Sequence, residues 1–211
     1  MTDLYLVRHG ETDWNRQRRI QGLTDIPLNE TGRAQARATG MLLSRRHWDG
    51  IYASPLSRAR ETASIIADQV GLGEPTLVDA LVERNYGQAE GLDWLEVETR
   101  YPHGTVVPGR ESREQVGARV IPALMELAAD RPGESLLVVS HGGAIRAVLN
   151  QVEPEASHGM ITNGSVHSFR LEDGALRLIT FDDPIEVESI GDDCGDLDEQ
   201  NRVEAEEDGA A

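Results

Sequence analysis

The sequence contains a single cysteine, Cys194, which excludes an internal disulfide. No stretch approaches the roughly 20 consecutive apolar residues that cross a bilayer. The first residues, Met1-Thr2-Asp3, lack the basic region and long apolar run of a secretory signal. A cluster of cysteines and histidines, the usual sign of structural zinc, is also missing. These absences favour a cytoplasmic protein that does not associate with membranes.

Basic residues are few relative to acidic ones. The 211 residues include 20 Lys+Arg and 37 Asp+Glu, for a net charge of −17. Residues 182–211 contain 13 acids and 1 base, which gives −12 there and leaves −5 for residues 1–181. Because the chain has no basic stripe, nucleic acid is not an expected partner.

The charge distribution also divides the chain. Residues 182–211 are acidic and poor in apolar side chains, a composition that predicts a disordered tail. This tail would either keep the protein in solution or act as an acidic arm that binds a basic partner or screens a cationic pocket. Residues 1–181 are expected to form one domain, and 39% hydrophobic residues in the whole chain suffice for its core.

Two apolar runs each end in a histidine followed by glycine. Residues 4–7 lead into Arg8 and His9, and residues 136–140 lead into His141. Short apolar runs of this kind are typical of buried strands. In open α/β sheets, ligands bind beyond the carboxyl ends of the strands. The sequence therefore predicts two imidazoles facing one another in a crevice.

The residues around these histidines favour an anion over a metal ion. Histidine is the commonest metal ligand, so a metal site must be considered. Arg8 adjoins His9, however, and Arg58 lies in a loop-like segment after another apolar run. Guanidinium groups repel a divalent cation and match the oxygens of a phosphate. We expect a phosphate pocket that contains imidazoles and uses no metal or other cofactor.

The pattern of the remaining segments predicts an α/β fold. Strand-like runs alternate with helix-like segments, which indicates a three-layer sandwich with a mainly parallel central sheet flanked by helices. Helices are predicted from about residue 30 to Arg46, over 57–70, over 111–130 with a kink at Pro122, and over 143–152. Further strands are expected at 51–53, from 77, and in a hairpin of 166–171 and 176–181.

Five segments resemble the histidine phosphatase superfamily, also called the phosphoglycerate mutase-like family, in the order that the family has them. They span most of residues 4–181 and read LVRHGETDWNRQRRIQG (6–22), SPLSRARET (54–62), LVERNYGQAEG (81–91), PGRES (108–112) and VSHGG (139–143). The resemblance implies a phosphoglycerate mutase-like fold and transfer of a phosphoryl group through a phosphohistidine.

The resemblance also implies roles for individual residues. His9 takes the place of the nucleophile, and surrounding positive charge would help to keep its imidazole neutral. His141, Arg8 and Arg58 would hold the phosphoryl oxygens, as in electrostatic stabilisation of a transition state. Glu83 takes the place of the general acid and base, so burial or the charge of the substrate must keep its carboxyl protonated.

Neutral groups are expected to complete the pocket. Positions that line it in the family are occupied here by Asn15, Gln21 and Gly22, and the Gly142 N–H is a further donor. Two other residues of the first motif, Glu11 and Thr12, could simply support the loop. Tyr86 could contact substrate or belong to the core. Four other histidines match no catalytic position: His47, His103, His158 and His167.

Within the family, hydrolysis is the expected outcome for a small phosphorylated metabolite. Residues 83–87, ERNYG, resemble the mutase motif ERHYG with Asn85 in place of histidine, whereas Glu90 followed by glycine resembles the phosphatase branch. Between residues 91 and 108 the chain has only Arg100, not the paired arginines of mutases. The alternatives are a cofactor-dependent phosphoglycerate mutase and a binding protein that has lost turnover. The sequence identifies neither the ester nor the oligomeric state.

Overall fold

The computed structural model describes residues 1–154 and 159–182. Within these ranges it contains strands and α-helices in the following order: β1 (Thr2–Arg8), α1 (Asp13–Arg16), α2 (Glu30–Leu43), β2 (Gly50–Ala53), α3 (Ser57–Val70), β3 (Thr76–Leu77), α4 (Trp94–Arg100), α5 (Arg113–Asp130), β4 (Ser135–Ser140), α6 (Gly142–Val152), β5 (Val166–Glu172) and β6 (Ala175–Thr180). The predicted tail lies outside the described residues from position 183 onward, together with Cys194 and His158.

The six strands form one sheet in the order β3-β2-β4-β1-β5-β6. The pairs β3–β2, β2–β4 and β4–β1 are parallel, and β1–β5 and β5–β6 are antiparallel. The predicted mainly parallel sheet with a C-terminal hairpin is therefore confirmed. Because β1 and β4 are parallel neighbours, the segments that follow them leave the sheet at the same edge.

Helices cover both faces of the sheet, as alternating side chains of β4 show. Leu136 and Val138 belong to a core cluster with residues of α5 and α6. Leu137 and Val139 point the other way and pack with residues of α2 and α3. A strand that is apolar on both faces is typical of a parallel sheet between two helical layers. The predicted three-layer sandwich is confirmed.

The element boundaries differ slightly from those predicted. Helix α2 ends at Leu43, three residues before the expected end at Arg46, and α5 begins at Arg113 because Ser112 forms its N-cap. The Ser112 hydroxyl accepts the N–H of Gln115, and the Ser112 N–H donates to the side-chain oxygen of Gln115, a reciprocal cap that fixes a helix start. Pro122 lies inside α5, which continues as one helix on both sides of it.

A close backbone contact places α2 beside the loop that follows His9. A Cβ atom on Gly10 would lie 2.3 Å from the carbonyl oxygen of Gly32, in the first turn of α2. Neither backbone can move away easily, so only glycine fits at Gly10. This contact brings the start of α2 against the first motif and fixes the course of the chain after β1.

Candidate active site

The ends of β1 and β4 bring the two predicted histidines together. Arg8 and Ser140 are register partners, so His9 and His141 follow at the same level of the sheet edge. Their ring centroids lie 5.1 Å apart with an interplanar angle of 61°. Both side chains are buried. The crevice with two facing imidazoles is therefore present.

Hydrogen bonds fix which nitrogen of His9 carries the proton. Nδ1 lies 2.7 Å from the carbonyl oxygen of Gly10, which can only accept, so Nδ1 is protonated and donates. In the neutral ring, Nε2 then keeps its lone pair. Nε2 lies 3.3 Å from Nε of Arg58. The imidazole is thus held in the tautomer whose Nε2 is unprotonated and accepts a hydrogen bond from the guanidinium group of Arg58.

Burial and neighbouring charge keep both imidazoles neutral. Burial lowers the pKa of His9 well below its usual value, and the positive charges of Arg58 and Arg8 lower it further. Burial likewise lowers the pKa of His141, and the positive charges of Arg58, Arg8 and Arg119 lower it further. The expectation that surrounding arginines help to keep His9 neutral agrees with these causes, although burial is the larger one.

These neutral histidines make stability depend on pH. In the unfolded chain each imidazole takes up a proton near its ordinary pKa of 6.5, whereas the folded chain keeps both neutral to lower pH. Below pH 6.5 the unfolded state therefore binds more protons, and the free energy of unfolding falls as the pH decreases. We expect a slope of up to about 1.4 kcal/mol per pH unit from each histidine.

Urea unfolding between about pH 7.5 and pH 5.5 measures this slope. The double variant His9→Asn/His141→Asn removes both groups, so its free energy of unfolding should depend less steeply on pH than that of the wild type. The variant His47→Asn is the matched control, because His47 is exposed. Equal slopes in the wild type and the double variant would contradict the buried neutral state.

Arg58 joins the histidines to the segment of residues 21–24. Its Nη2 donates to the carbonyl oxygen of Gly22 at 2.8 Å, and its Nη1 donates to that of Thr24 at 3.1 Å. Burial lowers the pKa of Arg58 to about 10, so the guanidinium remains charged at neutral pH. The structure therefore brings Gly22 and Arg58 together as predicted.

Arg8 lies on the other side of the imidazoles. Its Nη1 donates to the carbonyl oxygen of Ile161 at 2.7 Å, and the side chain is buried. A Cβ atom on Gly142 would lie 3.4 Å from Nε of Arg8. The first N–H of α6 and the guanidinium of Arg8 are thus close neighbours. Two buried cations and the start of a helix surround the two neutral rings, an arrangement that suits a phosphate.

The polar residues of the first motif form a buried network. Thr12 is the N-cap of α1 and exchanges hydrogen bonds with Asn15. Its hydroxyl also donates to Oε1 of Gln21 at 2.8 Å. Thr12 therefore supports the loop. Within the part of the chain that the structure describes, Nε2 of Gln21 is buried and has no hydrogen-bond partner, as is expected of a donor kept for a ligand.

His141 also has a nitrogen left for a ligand. Its Nε2 lies 2.8 Å from the hydroxyl oxygen of Ser54. Its Nδ1 is buried and finds no hydrogen-bond partner among residues 1–154 and 159–182. If Ser54 donates to Nε2, the Nδ1 of the neutral ring carries the proton and can donate to an anion.

Glu83 is held at the N-terminus of α6. Its carboxylate accepts hydrogen bonds from the backbone N–H groups of Arg84 at 2.7 Å, Ala144 at 3.0 Å and Gly143 at 3.1 Å. A Cβ atom on Gly143 would lie 2.6 Å from this carboxylate, so a glycine is required there. Backbone donors favour the ionised carboxylate.

A third arginine, Arg119, holds the backbone of residues 80–83, which leads to and includes Glu83. Nη1 of Arg119 donates to the carbonyl oxygens of Ala80 and Val82, both at 2.7 Å, and Nη2 donates to that of Glu83 at 2.9 Å. Nε and Nη2 also donate to the carboxylate of Glu111 at 2.8 and 3.0 Å. All three nitrogens of one side chain are thus used to position the Glu83 segment.

We expect Arg119→Ala to lower the free energy of unfolding by about 2–4 kcal/mol, because it leaves carbonyl oxygens and the Glu111 carboxylate without their donor. Urea unfolding measures this difference. Arg60→Ala, which removes an exposed arginine of α3, should change stability by less than about 0.5 kcal/mol. A loss for Arg119→Ala no larger than that of the control would show that the network does not stabilise the segment.

Three residues that contribute to the site are not among those predicted to form it. Arg119 lies in the middle of a helical pattern, and nothing there indicates a long-range contact. Nδ2 of Asn163 donates to the carbonyl oxygen of His9 at 2.9 Å, from a segment that looks like an ordinary turn. Glu90 accepts from the N–H groups of Leu23 and Thr24, both at 2.9 Å. The sequence relates Glu90 only to the phosphatase branch of the family, yet this residue also shapes the loop that Arg58 contacts.

Tyr86 belongs both to the core and to the edge of the site. It is fully buried in a small core cluster with Ile20, and its hydroxyl lies beside the start of α6, where a Cβ atom on Gly143 would be 2.8 Å from it and 2.6 Å from the Glu83 carboxylate. His103 is exposed. His167 is buried and contacts the hydroxyl of Ser165 at 2.9 Å.

Among the described residues, no group of three or more His, Cys, Asp and Glu side chains is arranged to hold a metal ion. In the same residues, no helix combines the length and apolar character needed to span a membrane.

Comparison with known proteins identifies relatives over most of the chain. A Bacillus subtilis (strain 168) protein named uncharacterized phosphatase PhoE is 40% identical over 182 residues, which cover 84% of this chain and 93% of the relative. A 2,3-bisphosphoglycerate-dependent phosphoglycerate mutase of Cytophaga hutchinsonii is 34% identical over 203 residues, covering 90% and 92% of the two chains.

A solved structure shows the same fold. The crystal structure of a phosphoserine phosphatase mutant from Entamoeba histolytica in complex with phosphoserine superimposes with a TM-score of 0.74 at 27% identity, covering 89% of this chain and 100% of that chain. The profile of the histidine phosphatase superfamily (branch 1) matches residues 4–184, which include every motif described above. The chain belongs to the histidine phosphatase superfamily.

Proposed function

We propose that this protein hydrolyses small phosphomonoesters in the cytoplasm through a phosphohistidine on His9, without a metal ion. The single observation that carries this proposal is the His9 imidazole, which is buried, neutral and fixed with Nε2 unprotonated beside Arg58. A neutral nitrogen nucleophile next to a guanidinium group is what attack on a phosphate requires. The phosphatases among the relatives support the same reaction class.

In the proposed first step, the Nε2 lone pair of His9 attacks phosphorus and the alkoxide leaves. Arg8 and Arg58 hold the phosphoryl oxygens from two sides, and Nδ1 of His141 and the Gly142 N–H add neutral donors. Gln21 and Asn15, both in the first motif, add further donors. Charge on the equatorial oxygens is thus stabilised by groups that are already in place before the reaction.

Glu83 supplies the proton in this proposal. Backbone N–H groups bind its carboxylate. The arriving phosphate is a dianion, and a like charge nearby favours the protonated carboxyl. The proton then passes to the leaving alkoxide. In the second step the ionised Glu83 takes a proton from water, which attacks the phosphohistidine.

The segment between residues 92 and 112 has few buried side chains, which favours hydrolysis over mutase activity. Its single α-helix, α4, has no buried residue. Val106, farther along, is 85% exposed. A mutase must keep its phosphohistidine away from water, and a segment with so few buried side chains offers little to exclude it. Mutases do occur among the relatives, so phosphoryl transfer within a bound sugar acid is the second candidate.

An assay with 3-phosphoglycerate distinguishes the two reactions. The protein is incubated with this ester and a bisphosphoglycerate primer, and both free phosphate and 2-phosphoglycerate are measured. A panel of other phosphomonoesters is tested for phosphate release in parallel. Phosphate release with little isomerisation supports the proposal. Isomerisation faster than phosphate release would identify a mutase, and no product from any ester would favour a binding protein.

A further inference from the structure

The two peptide groups on either side of Gly10 place four polar groups next to the His9 ring, and each of the four has a defined partner. The first peptide comprises the carbonyl of His9 and the N–H of Gly10. The second comprises the carbonyl of Gly10 and the N–H of Glu11. The Gly10 carbonyl accepts the Nδ1 proton of His9 at 2.7 Å. The orientation of the second peptide therefore decides whether this proton stays on Nδ1.

Gln35 holds the second peptide from helix α2. Its Oε1 accepts the N–H of Glu11 at 2.8 Å. That N–H and the Gly10 carbonyl belong to the same peptide group, so the bond fixes the plane of the group. Hydrogen bonds in such a chain polarise one another, which makes the Gly10 oxygen a stronger acceptor. The chain of bonds from Gln35 through this peptide to His9 thus keeps the proton on Nδ1.

The first peptide is held from both sides by buried side chains. The Gly10 N–H donates to Oγ1 of Thr62 at 3.1 Å, and the Thr62 hydroxyl donates to the carbonyl oxygen of Arg58 at 2.8 Å. On the other side, Nδ2 of Asn163 donates to the carbonyl oxygen of His9 at 2.9 Å. Thr62 is fully buried and Asn163 is 5% exposed, so bulk water does not replace either bond.

These three side chains come from three separate parts of the fold. Gln35 lies on α2, Thr62 lies on α3, and Asn163 lies in the segment before β5. They supply the partners that main-chain groups of a neighbouring strand or turn supply elsewhere. The conformation of the loop after β1 therefore depends on side chains, and single substitutions can test that dependence.

We propose that Gln35, Thr62 and Asn163 are positioning residues, which fix the loop after β1 so that His9 keeps its proton on Nδ1 and presents Nε2 to phosphorus. The inference deepens the proposed phosphatase function and rests on it. A neutral imidazole can carry its proton on either nitrogen. Without a fixed Gly10 carbonyl, part of the population would carry the proton on Nε2, which then has no lone pair for attack. The affected step is formation of the phosphohistidine, whereas binding of phosphate by the arginines is unchanged.

Nitrogen NMR of the imidazoles detects the tautomer without turnover. The full-length protein is prepared with isotopically labelled histidine, and the His9 signals are assigned by their loss in His9→Ala. We expect the wild type to show a protonated Nδ1 and an unprotonated Nε2. In Thr62→Val and Gln35→Met, which remove an acceptor and keep the size of the side chain, the signals should shift towards a mixture of tautomers. A wild-type His9 with its proton on Nε2 would overturn the proposal whatever the variants show.

Rapid-mixing kinetics measure the consequence for the first chemical step. We expect Thr62→Val, Gln35→Met and Asn163→Leu each to slow formation of the phosphohistidine by about 10- to 100-fold, because a small misplacement of a reacting group has an effect of this size. The dissociation constant of inorganic phosphate should stay within about threefold, less than 1 kcal/mol. A parallel loss of rate and phosphate affinity would show that the substitutions disrupt the whole pocket, and would overturn the proposal.

Two further variants control for the threonine substitution. Thr62→Ser keeps the hydroxyl and should retain the rate within about threefold of the wild type. Thr99→Val is the matched control, because the exposed Thr99 also donates to a carbonyl oxygen of its own helix, that of Leu95, and it should leave the rate unchanged. If Thr62→Ser loses as much activity as Thr62→Val, the hydroxyl is not what positions His9, and the role given to Thr62 is wrong.

The two measurements separate this proposal from the proposed function. A tautomer that depends on Gln35 and Thr62 supports the positioning role even if no ester is hydrolysed. Phosphate release that depends on His9, with a tautomer and a rate of phosphohistidine formation that neither substitution changes, would overturn the positioning role and leave the phosphatase intact. Gln35 is only partly buried, so Gln35→Met tests the proposal even if Thr62→Val folds poorly.

Discussion

Replacing His9 with alanine is expected to reduce phosphate release by about 10⁴-fold or more, the scale of loss when a covalent nucleophile is removed. The variant retains Arg8, Arg58 and His141, so it should still bind a phosphate. Only the nitrogen that attacks phosphorus is lost. Initial rates with the ester that the wild type prefers measure the effect, and calorimetry with inorganic phosphate verifies that the pocket persists.

His103→Ala is the matched control, because this histidine is exposed. It should retain activity within about twofold, as is usual for surface substitutions. If His9→Ala kept more than about one tenth of the wild-type rate, another group would have to be the nucleophile. His141 would then be the first residue to examine, because its ring is the nearest second imidazole.

The substitution Glu83→Gln is expected to lower kcat by about 10²- to 10⁴-fold for alkyl phosphates, the usual contribution of general acid catalysis. An alkoxide is a poor leaving group and needs a proton as the bond to phosphorus breaks. The ester p-nitrophenyl phosphate releases a stabilised phenolate, which needs little help. Formation of the phosphohistidine from it should therefore be much less affected.

Rapid-mixing kinetics with both esters test this difference. With p-nitrophenyl phosphate the variant should show a burst of phenolate followed by slow turnover, because the missing base slows hydrolysis of the intermediate. Glu98→Gln, at an exposed position on α4, is the control and should behave as the wild type. An equal loss with both esters, and no burst, would mean that Glu83 acts only by holding the start of α6.

The central part of the site could be predicted from sequence because it depends on local patterns. Runs of apolar residues identify β1 and β4, and the parallel pairing of two such strands brings His9 and His141 to one edge. Charge then distinguishes a phosphate site from a metal site, because Arg8 and Arg58 disfavour a cation. The order of the five motifs adds the family, which the comparisons confirm.

The rest of the site depends on contacts between residues that are distant in sequence and could not be predicted. Arg119 reaches the carbonyl oxygen of Glu83, which lies 36 positions earlier, and Asn163 reaches that of His9 over 154 positions. Both bonds go to main-chain oxygens, which every residue has, so no pair of side-chain types reveals them. The backbone donors around Glu83 are likewise visible only when the start of α6 has been placed.

Trapping the intermediate is the most direct test of a covalent mechanism at His9. The Glu83→Gln variant is mixed with p-nitrophenyl phosphate, quenched in alkali, which preserves phosphohistidine, and digested for mass spectrometry. The account predicts one phosphoryl group per chain, on the peptide that contains His9, in a form that acid removes. Turnover by the wild type with no phosphorylated peptide in either protein, or a phosphoryl group on a residue other than His9, would contradict it.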